Sequence, residues 1–332
     1  MIWIKTEEEN MTVTRFYLEI IGQAFEKLKQ KVTYTSNINE INPNPGDTVV
    51  VSTAPSVRKL VNRKNVKIIY WAQGAWPEES YMRHASKIRF AITSWVEKAA
   101  LKRADYVFFV SEAMRAHYMK KYGIDFQNNY YIMPCANESF HNDAFENPDK
   151  YKGYVFCYAG ATSVWQCFEE TIELYAKIEE RIPSSKLLLL VKDRELALQL
   201  LNKYGVKNYD IDFVTVDQLP ERLSNVRFGF ILRKPSVVNA VATPTKTLTY
   251  LSNGIIPIYS DCLEGISNIF KDCKYKIEVN ENIDIDSVID SVKETVASKD
   301  ILREYQRLYQ QFYDREKHIL RIAEQLKEKG FA

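Results

Sequence analysis

The segment RKPSVVNAVATPTKTLTYLSNGIIPIYS, Arg233 to Ser260, sets the reading of the whole chain. It reads as a strand end, a loop, a short helix, a stop and the next buried strand. Thr243 suits the N-cap and Pro244 the first helical position, where a missing N–H costs nothing. Lys246 then falls in the first turn. Gly254 supplies the left-handed stop, and IIPIYS resumes as a strand. First-turn N–H groups lack partners inside the helix, and the helix dipole is positive there. With Arg233 and Lys246 beside it, this turn is a candidate cradle for an anion such as a diphosphate.

Outward from this block the chain alternates strands and helices. MIWIK, VTYTS, TVVVS, VKIIYWA and DYVFFVS read as strands, the central ones apolar on both faces as in a parallel sheet. Thr12 to Lys31 is periodic, with Phe16, Ile20, Ala24 and Leu28 on one face. Ser80 to Arg103 reads as one long amphipathic helix, and Ser111 opens another. The polar, turn-rich stretch from His141 to Gly153 reads as an interdomain linker. The alternation then restarts with YVFCYAG, KLLLLV, IDFVTV and FGFILR. A charged helix from Ser298 to Lys329, bent near Tyr313, closes the chain. Two such βα series predict two doubly wound α/β domains.

Length and composition agree: 332 residues with 46% hydrophobic and 27% charged residues describe a globular chain of two domains. Five cysteines (Cys135, Cys157, Cys167, Cys262, Cys273) form no C-x-x-C pair and read as buried thiols of a reducing compartment. The apolar start runs straight into Glu7, Glu8 and Glu9, unlike a signal peptide, and no apolar run reaches the ~20 residues of a membrane span. A cytoplasmic location follows as an expectation. Net charge is +2, yet residues 55–121 hold fourteen Lys/Arg against five Asp/Glu, a local +9. That window predicts an anionic partner, a membrane surface before a nucleic acid, since no nucleic-acid module accompanies it.

The Arg233 block resembles a motif of glycosyltransferase family 4-like proteins: Arg, Ser, Asn, then Ser-Pro-x-Lys, Glu-Tyr-Leu and Gly. The matching residues here are Arg233, Ser236, Asn239, Thr243, Pro244, Lys246, Tyr250, Leu251 and Gly254. The resemblance implies the GT-B architecture: two Rossmann-like domains facing a cleft, with the C-terminal helix crossing back. On this reading residues 1–148 take the acceptor, residues 149–300 take a nucleotide-sugar donor, and residues 301–332 form the returning helix. YAGATSVWQCFEETIELY resembles the first strand–loop–helix of the donor domain. IIYWAQGAWPEESY resembles the acceptor-side strand and its Pro-Glu-Glu. Ser163 with Gln166 has the form of a capping box.

What the resemblance implies for the site is specific. Arg233 and Lys246 are the catalytic candidates, stabilising the leaving diphosphate. Gly160, Ala161, Lys192, Arg194, Thr245, Thr247 and Thr249 are the donor nucleotide-binding candidates. Gln73, Gly74, Glu78 and Glu79 stand on the acceptor side. No metal and no cofactor besides the donor is expected. The partners are a nucleotide sugar and a glycan or lipid-linked acceptor, in bacterial surface polysaccharide synthesis, with retention at the anomeric carbon. This sequence departs from the family pattern at four places. Val241 and Thr249 stand where retaining members carry two Glu, Gln73 stands for a His, and Trp165-Gln166 stand for basic residues. The departures keep a second reading open, a non-catalytic GT-B protein that binds a nucleotide sugar or scaffolds a glycan-assembly complex.

Overall fold

A computed structural model describes residues 1–6, 12–136, 138–147 and 149–331 of the chain. The acidic run Glu7–Glu9 and the boundary expected at Pro148 lie outside the described residues. Two compact units are present. The first comprises Met1–Asn137, Ala240–Thr243 and Phe312–Ala332; the second comprises Glu138–Asn239 and Pro244–Gln311.

In the first unit six strands form a parallel sheet: β1 (Ile2–Lys5), β2 (Val32–Thr35), β3 (Thr48–Val51), β4 (Lys67–Ala72), β5 (Tyr106–Phe109) and β6 (Tyr130–Ile132). Their order is β2-β1-β3-β4-β5-β6. Apart from the half-buried Lys67 that opens β4, the residues of β3, β4 and β5 are buried, which explains their largely apolar sequence. The order reverses between β1 and β3, so a ligand crevice belongs at their C-terminal ends.

The helix predicted over Ser80 to Arg103 is two helices, Trp76–His84 and Lys87–Arg103. Ala85 takes a left-handed conformation (φ 50°), and the Ser86 hydroxyl caps the second helix by accepting the Arg89 N–H. The inward stripe of that second helix is Thr93, Val96, Glu97, Ala100 and Leu101. Ile88, Ile92 and Trp95 of the same helix face solvent.

The terminal charged segment breaks where expected. Helices Ser298–Phe312 and Arg315–Glu328 are separated at Tyr313, and Asp314 caps the second by accepting the Lys317 N–H at 3.1 Å. The second helix packs on Thr12–Lys27 of the first unit. His318, buried, sits with Nδ1 2.8 Å from the Tyr131 hydroxyl.

The second unit carries the strands β7 (Val155–Ala159), β8 (Lys186–Leu190), β9 (Tyr209–Asp212), β10 (Phe228–Ile231), β11 (Ile256–Ser260) and β12 (Ile277–Val279), all parallel. Their order, β12-β11-β10-β7-β8-β9, is that of a dinucleotide-binding sheet, and it reverses between β7 and β10. The expected linker is packed into this unit. Phe145 and Tyr151 are buried, and the Tyr151 hydroxyl donates to the Gly254 carbonyl at 2.9 Å. Two aromatic residues, Phe145 and Tyr151, account for the difference, and Lys150 is buried with them, its Nζ donating to the Ala144 carbonyl at 3.2 Å. Gly254 takes φ 65°, and a Cβ there would stand 2.6 Å from the Tyr151 hydroxyl, so glycine is required on both counts.

Candidate functional site

The switch point of the second sheet lies at the ends of β7 and β10, and it brings together three of the candidate residues. Gly160 follows β7, and Arg233 follows the end of β10. Lys246 opens the Lys246–Ser252 helix. A Cβ placed on Gly160 (φ 135°) would lie 3.5 Å from Lys246 Nζ, so the glycine backbone and the ammonium are neighbours.

Lys246 is buried, its Nζ lies 3.9 Å from the centre of the Tyr158 ring, and it has no hydrogen-bond partner among the described residues. A cation over an aromatic face is stabilised by the ring quadrupole, but only partly repaid for lost water. Burial first, and the Arg233 guanidinium second, pull the Lys246 ammonium well below the ordinary lysine value. Tyr158 is itself fixed by donating its hydroxyl proton to the Ala161 carbonyl at 2.6 Å.

Arg233 is held on several sides. Its backbone N–H donates to Ser260 Oγ at 2.9 Å. Nη1 donates to the Leu232 carbonyl at 2.7 Å and the Gln166 carbonyl at 3.1 Å, and Nη2 donates to Gln166 Oε1 at 2.5 Å. These contacts fix the guanidinium plane and use three of its five N–H groups. Gln166 thus leaves the capping box that its spacing from Ser163 predicts. Ser163 makes no side-chain cap, Val164–Gln166 form a 3-10 turn, and the following helix starts only at Phe168 after a left-handed Cys167.

The motif turn also departs from expectation. Thr243 does not cap the helix, because its Oγ1 accepts the Cys135 N–H at 3.0 Å within the first unit. Thr245 stands at the cap position instead, with no side-chain cap bond. The N–H groups of Thr247, Leu248 and Thr249 already donate to Pro244 and Thr245 carbonyls. These three helix N–H groups are therefore not free, and the basic side chains at the turn are those of Arg233 and Lys246. The remaining donor-side candidates divide. Thr247 and Thr249 are buried on the same helix, with Thr247 Oγ1 unpartnered among the described residues. Lys192 and Arg194 are exposed beyond β8, Arg194 turned onto the Ile211 carbonyl at 3.0 Å.

On the first unit, a cavity of about 590 Å³ opens beside the C-terminal ends of β3 and β4, lined by Ser52, Thr53, Tyr70, Gln73, Trp76 and Glu79 among others. Gly74 leaves room for Glu79: a Cβ there would stand 2.2 Å from Glu79 Oε1. Burial raises the Glu79 carboxyl above its ordinary range. Gln73 is exposed, its Oε1 3.4 Å from the Thr14 hydroxyl. Glu78 is directed elsewhere. It pairs with Lys121 at 2.8 Å and His117 at 3.3 Å; burial raises its carboxyl, but these contacts outweigh that and hold it below the ordinary value.

Behind Glu78 stands a network that the sequence did not disclose. Glu97, fully buried, accepts from the Tyr122 hydroxyl at 2.6 Å and lies 3.1 Å from the Tyr118 hydroxyl and 3.4 Å from Lys121 Nζ. Tyr118 also donates to the Gly74 carbonyl at 2.7 Å, tying the network to the cavity loop. A Glu on the inward stripe of an otherwise apolar helix face was the available signal.

Two Asp-x-Asp pairs occur in the chain, Asp210/Asp212 and Asp284/Asp286. The first is taken up by Lys186 and Arg222, and Asp284 caps a helix. Among the described residues no group of three His, Cys, Asp or Glu is placed to hold a metal ion.

No family model matches the chain. No curated protein matches it either. Solved structures do. Over 98% of this chain and 98% of the other, it is similar to sucrose-phosphate synthase from Thermosynechococcus elongatus, with a TM-score of 0.74 and 13% identity. It is similar to WaaG, a glycosyltransferase involved in lipopolysaccharide biosynthesis, over 98% and 99% with a TM-score of 0.64 and 11% identity. It is also similar to S. aureus TarM, solved with fondaparinux, alpha-GlcNAc-glycerol and UDP, over 85% of this chain with a TM-score of 0.60 and 13% identity. There this chain spans 55% of the TarM length. The fold is GT-B: two doubly wound domains with a helical C-terminus.

Proposed function

We propose that this protein is a glycosyltransferase that moves a sugar from a nucleotide-sugar donor to a glycan or lipid-linked acceptor. The observation that carries the reading is the buried Arg233 and Lys246 pair at the switch point of the second unit, beside a glycine in a left-handed turn. Two desolvated basic side chains with one aromatic neighbour and no carboxylate partner among the described residues match a leaving nucleoside diphosphate. The similarity to structures solved with UDP and to a lipopolysaccharide glycosyltransferase supports the same reading.

In this reading the diphosphate oxygens meet Lys246 and the free N–H groups of Arg233, while Gly160 lets the backbone approach. Negative charge growing on the leaving group is then stabilised by groups already in place, with no metal required and with retention at the anomeric carbon. Thr247 and Thr249 stand on the ribose side. The cavity around Glu79 takes the acceptor: its raised carboxyl and its hydroxyls fit the hydroxyls of a sugar. Surface polysaccharide synthesis is the setting. Val241, buried in the first unit, and Thr249 carry no carboxylate, which favours a binding protein without turnover as the second reading.

The test is an assay of nucleotide release from UDP-, GDP-, ADP- and CMP-sugars with glycan acceptors, with and without EDTA. Release from one donor class, resistant to EDTA and lost in Lys246→Ala, is the expected result. Binding of a nucleotide without any acceptor-dependent release favours the second reading.

A further inference from the structure

The two candidate sites treat charge in opposite ways. The switch point of the second unit carries two buried basic side chains, Arg233 and Lys246. The cavity of the first unit carries none: among the described residues that line it there is no lysine, arginine or histidine, and its one carboxyl is that of Glu79. Burial is the largest influence on that carboxyl and raises it; Arg83, exposed and outside the lining, offsets only part of the effect.

Proteins also hold phosphates on free N–H groups at helix starts. Two helices begin at this cavity, Ala54–Lys59 and Trp76–His84, and neither start suits an anion. A proline, Pro55 in one and Pro77 in the other, takes a first-turn position and brings no N–H. The Ser56 N–H is spent on the Thr53 hydroxyl at 3.4 Å. Glu78 and Glu79 add negative charge to the first turn of the second helix. What the lining offers instead is neutral. Ser52 and Thr53 carry hydroxyls, Gln73 an amide and the half-buried Trp76 an aromatic ring. The Tyr118 hydroxyl fixes the loop between them by donating to the Gly74 carbonyl at 2.7 Å. A cavity of about 590 Å³ lined by one ring and several placed polar groups suits a small polar ligand with an apolar face, which describes a sugar ring.

We infer that this cavity takes an uncharged sugar ring and turns away sugars that carry phosphate, with Glu79 and Trp76 as the residues that set the selection. A phosphate entering it loses its water, meets no cation in return and faces the Glu79 carboxylate. Sugar hydroxyls donate to that carboxylate, and the C–H face of the ring packs on the tryptophan. A lipid-linked acceptor on this account keeps its phosphates outside the cavity. The inference rests on the reading of this cavity as the acceptor site.

Saturation-transfer NMR on the full chain tests it without turnover. Glucose, galactose and mannose are offered as methyl glycosides and as 6-phosphates, in the absence and presence of UDP. At least one methyl glycoside is expected to bind, and its 6-phosphate to bind at least tenfold more weakly. Glu79→Gln weakens the glycoside about tenfold, as for a lost hydrogen bond to a charged group, and narrows the gap to the phosphate. Trp76→Leu keeps an apolar side chain against the core and weakens the glycoside about fivefold. Thermal melts show that both variants remain folded. Phosphates bound as well as glycosides, no sugar bound by the folded parent protein, or binding indifferent to both substitutions overturns the inference. Nucleotide release driven by a 6-phosphate in preference to its glycoside also overturns it, while glycosyl transfer stands. Selective glycoside binding with no release from any donor upholds it, while the transfer reading fails.

Discussion

Gln166 holds Arg233 by both its side-chain and its backbone oxygen, at 2.5 and 3.1 Å, across 67 residues of sequence. A neutral amide thereby occupies the place where the family resemblance expects a basic residue. The consequence is a guanidinium fixed in plane with two N–H groups left for a ligand. Substituting Gln166→Ala removes that positioning without adding charge. Nucleotide affinity, measured by calorimetry, is expected to fall by about tenfold, in line with a lost charge-assisted hydrogen bond. Unchanged affinity contradicts the positioning role.

The lowered proton affinity of Lys246 makes ligand binding a proton-linked event. In the free protein burial favours the neutral amine; a bound diphosphate favours the ammonium. Binding is therefore expected to take up a proton, and affinity to rise as pH falls through the free-state value. The sign for folding is opposite to that of a stabilised cation. A lysine depressed in the folded state destabilises the fold below its folded value, and that cost is relieved as pH rises toward the ordinary lysine value. Titrations at a series of pH values up to the ordinary lysine range, each in buffers of different ionisation enthalpy, measure the uptake, and heats independent of the buffer at every pH contradict it.

Glu97 tests the network beside the cavity around Glu79. Burial raises its carboxyl despite the Tyr122, Lys121 and Tyr118 contacts. Glu97→Ala takes the 2.6 Å acceptor from the Tyr122 hydroxyl and opens a buried void, while Lys121 keeps Glu78 and Tyr118 keeps the Gly74 carbonyl, and it is expected to cost about 3 kcal/mol in chemical denaturation. Glu97→Gln keeps the shape and acceptor oxygen and is expected to cost well under half of that. Equal losses from the two variants place the effect in packing alone.

A stability control lies on β10. A Cβ on Gly229 would stand 2.5 Å from the Tyr250 ring, a rigid and fully buried neighbour. Gly229→Ala is expected to destabilise the second unit by about 2–3 kcal/mol through overpacking. A Tm equal to that of the parent protein contradicts this reading of the core.

Sequence patterning revealed the two sheets because parallel central strands are apolar on both faces and glycine or serine marks their ends. Spacing placed Gly160 and Arg233 at strand ends and Lys246 at a helix start, but the family resemblance, and not spacing, singled them out as site candidates. Gln166 escaped it: local spacing suggested a cap, whereas a buried guanidinium from a distant strand competes for the same amide. Thr243 escaped for a similar reason, its hydroxyl being taken by Cys135. The Lys87–Arg103 helix carries apolar residues on two faces, and periodicity does not say which face the sheet covers. The break at Ala85 was hidden because alanine gives no signal of a left-handed turn.

The central claim is that Arg233 and Lys246 hold a nucleoside diphosphate. Calorimetric titration of the protein with UDP, GDP, ADP and CMP, without added metal, tests it most directly when repeated on Lys246→Ala. One nucleotide bound selectively, and weakened at least tenfold in a variant that remains folded, is the predicted result. Binding that Lys246→Ala leaves unchanged, or no binding of any of the four by the folded parent protein, contradicts it.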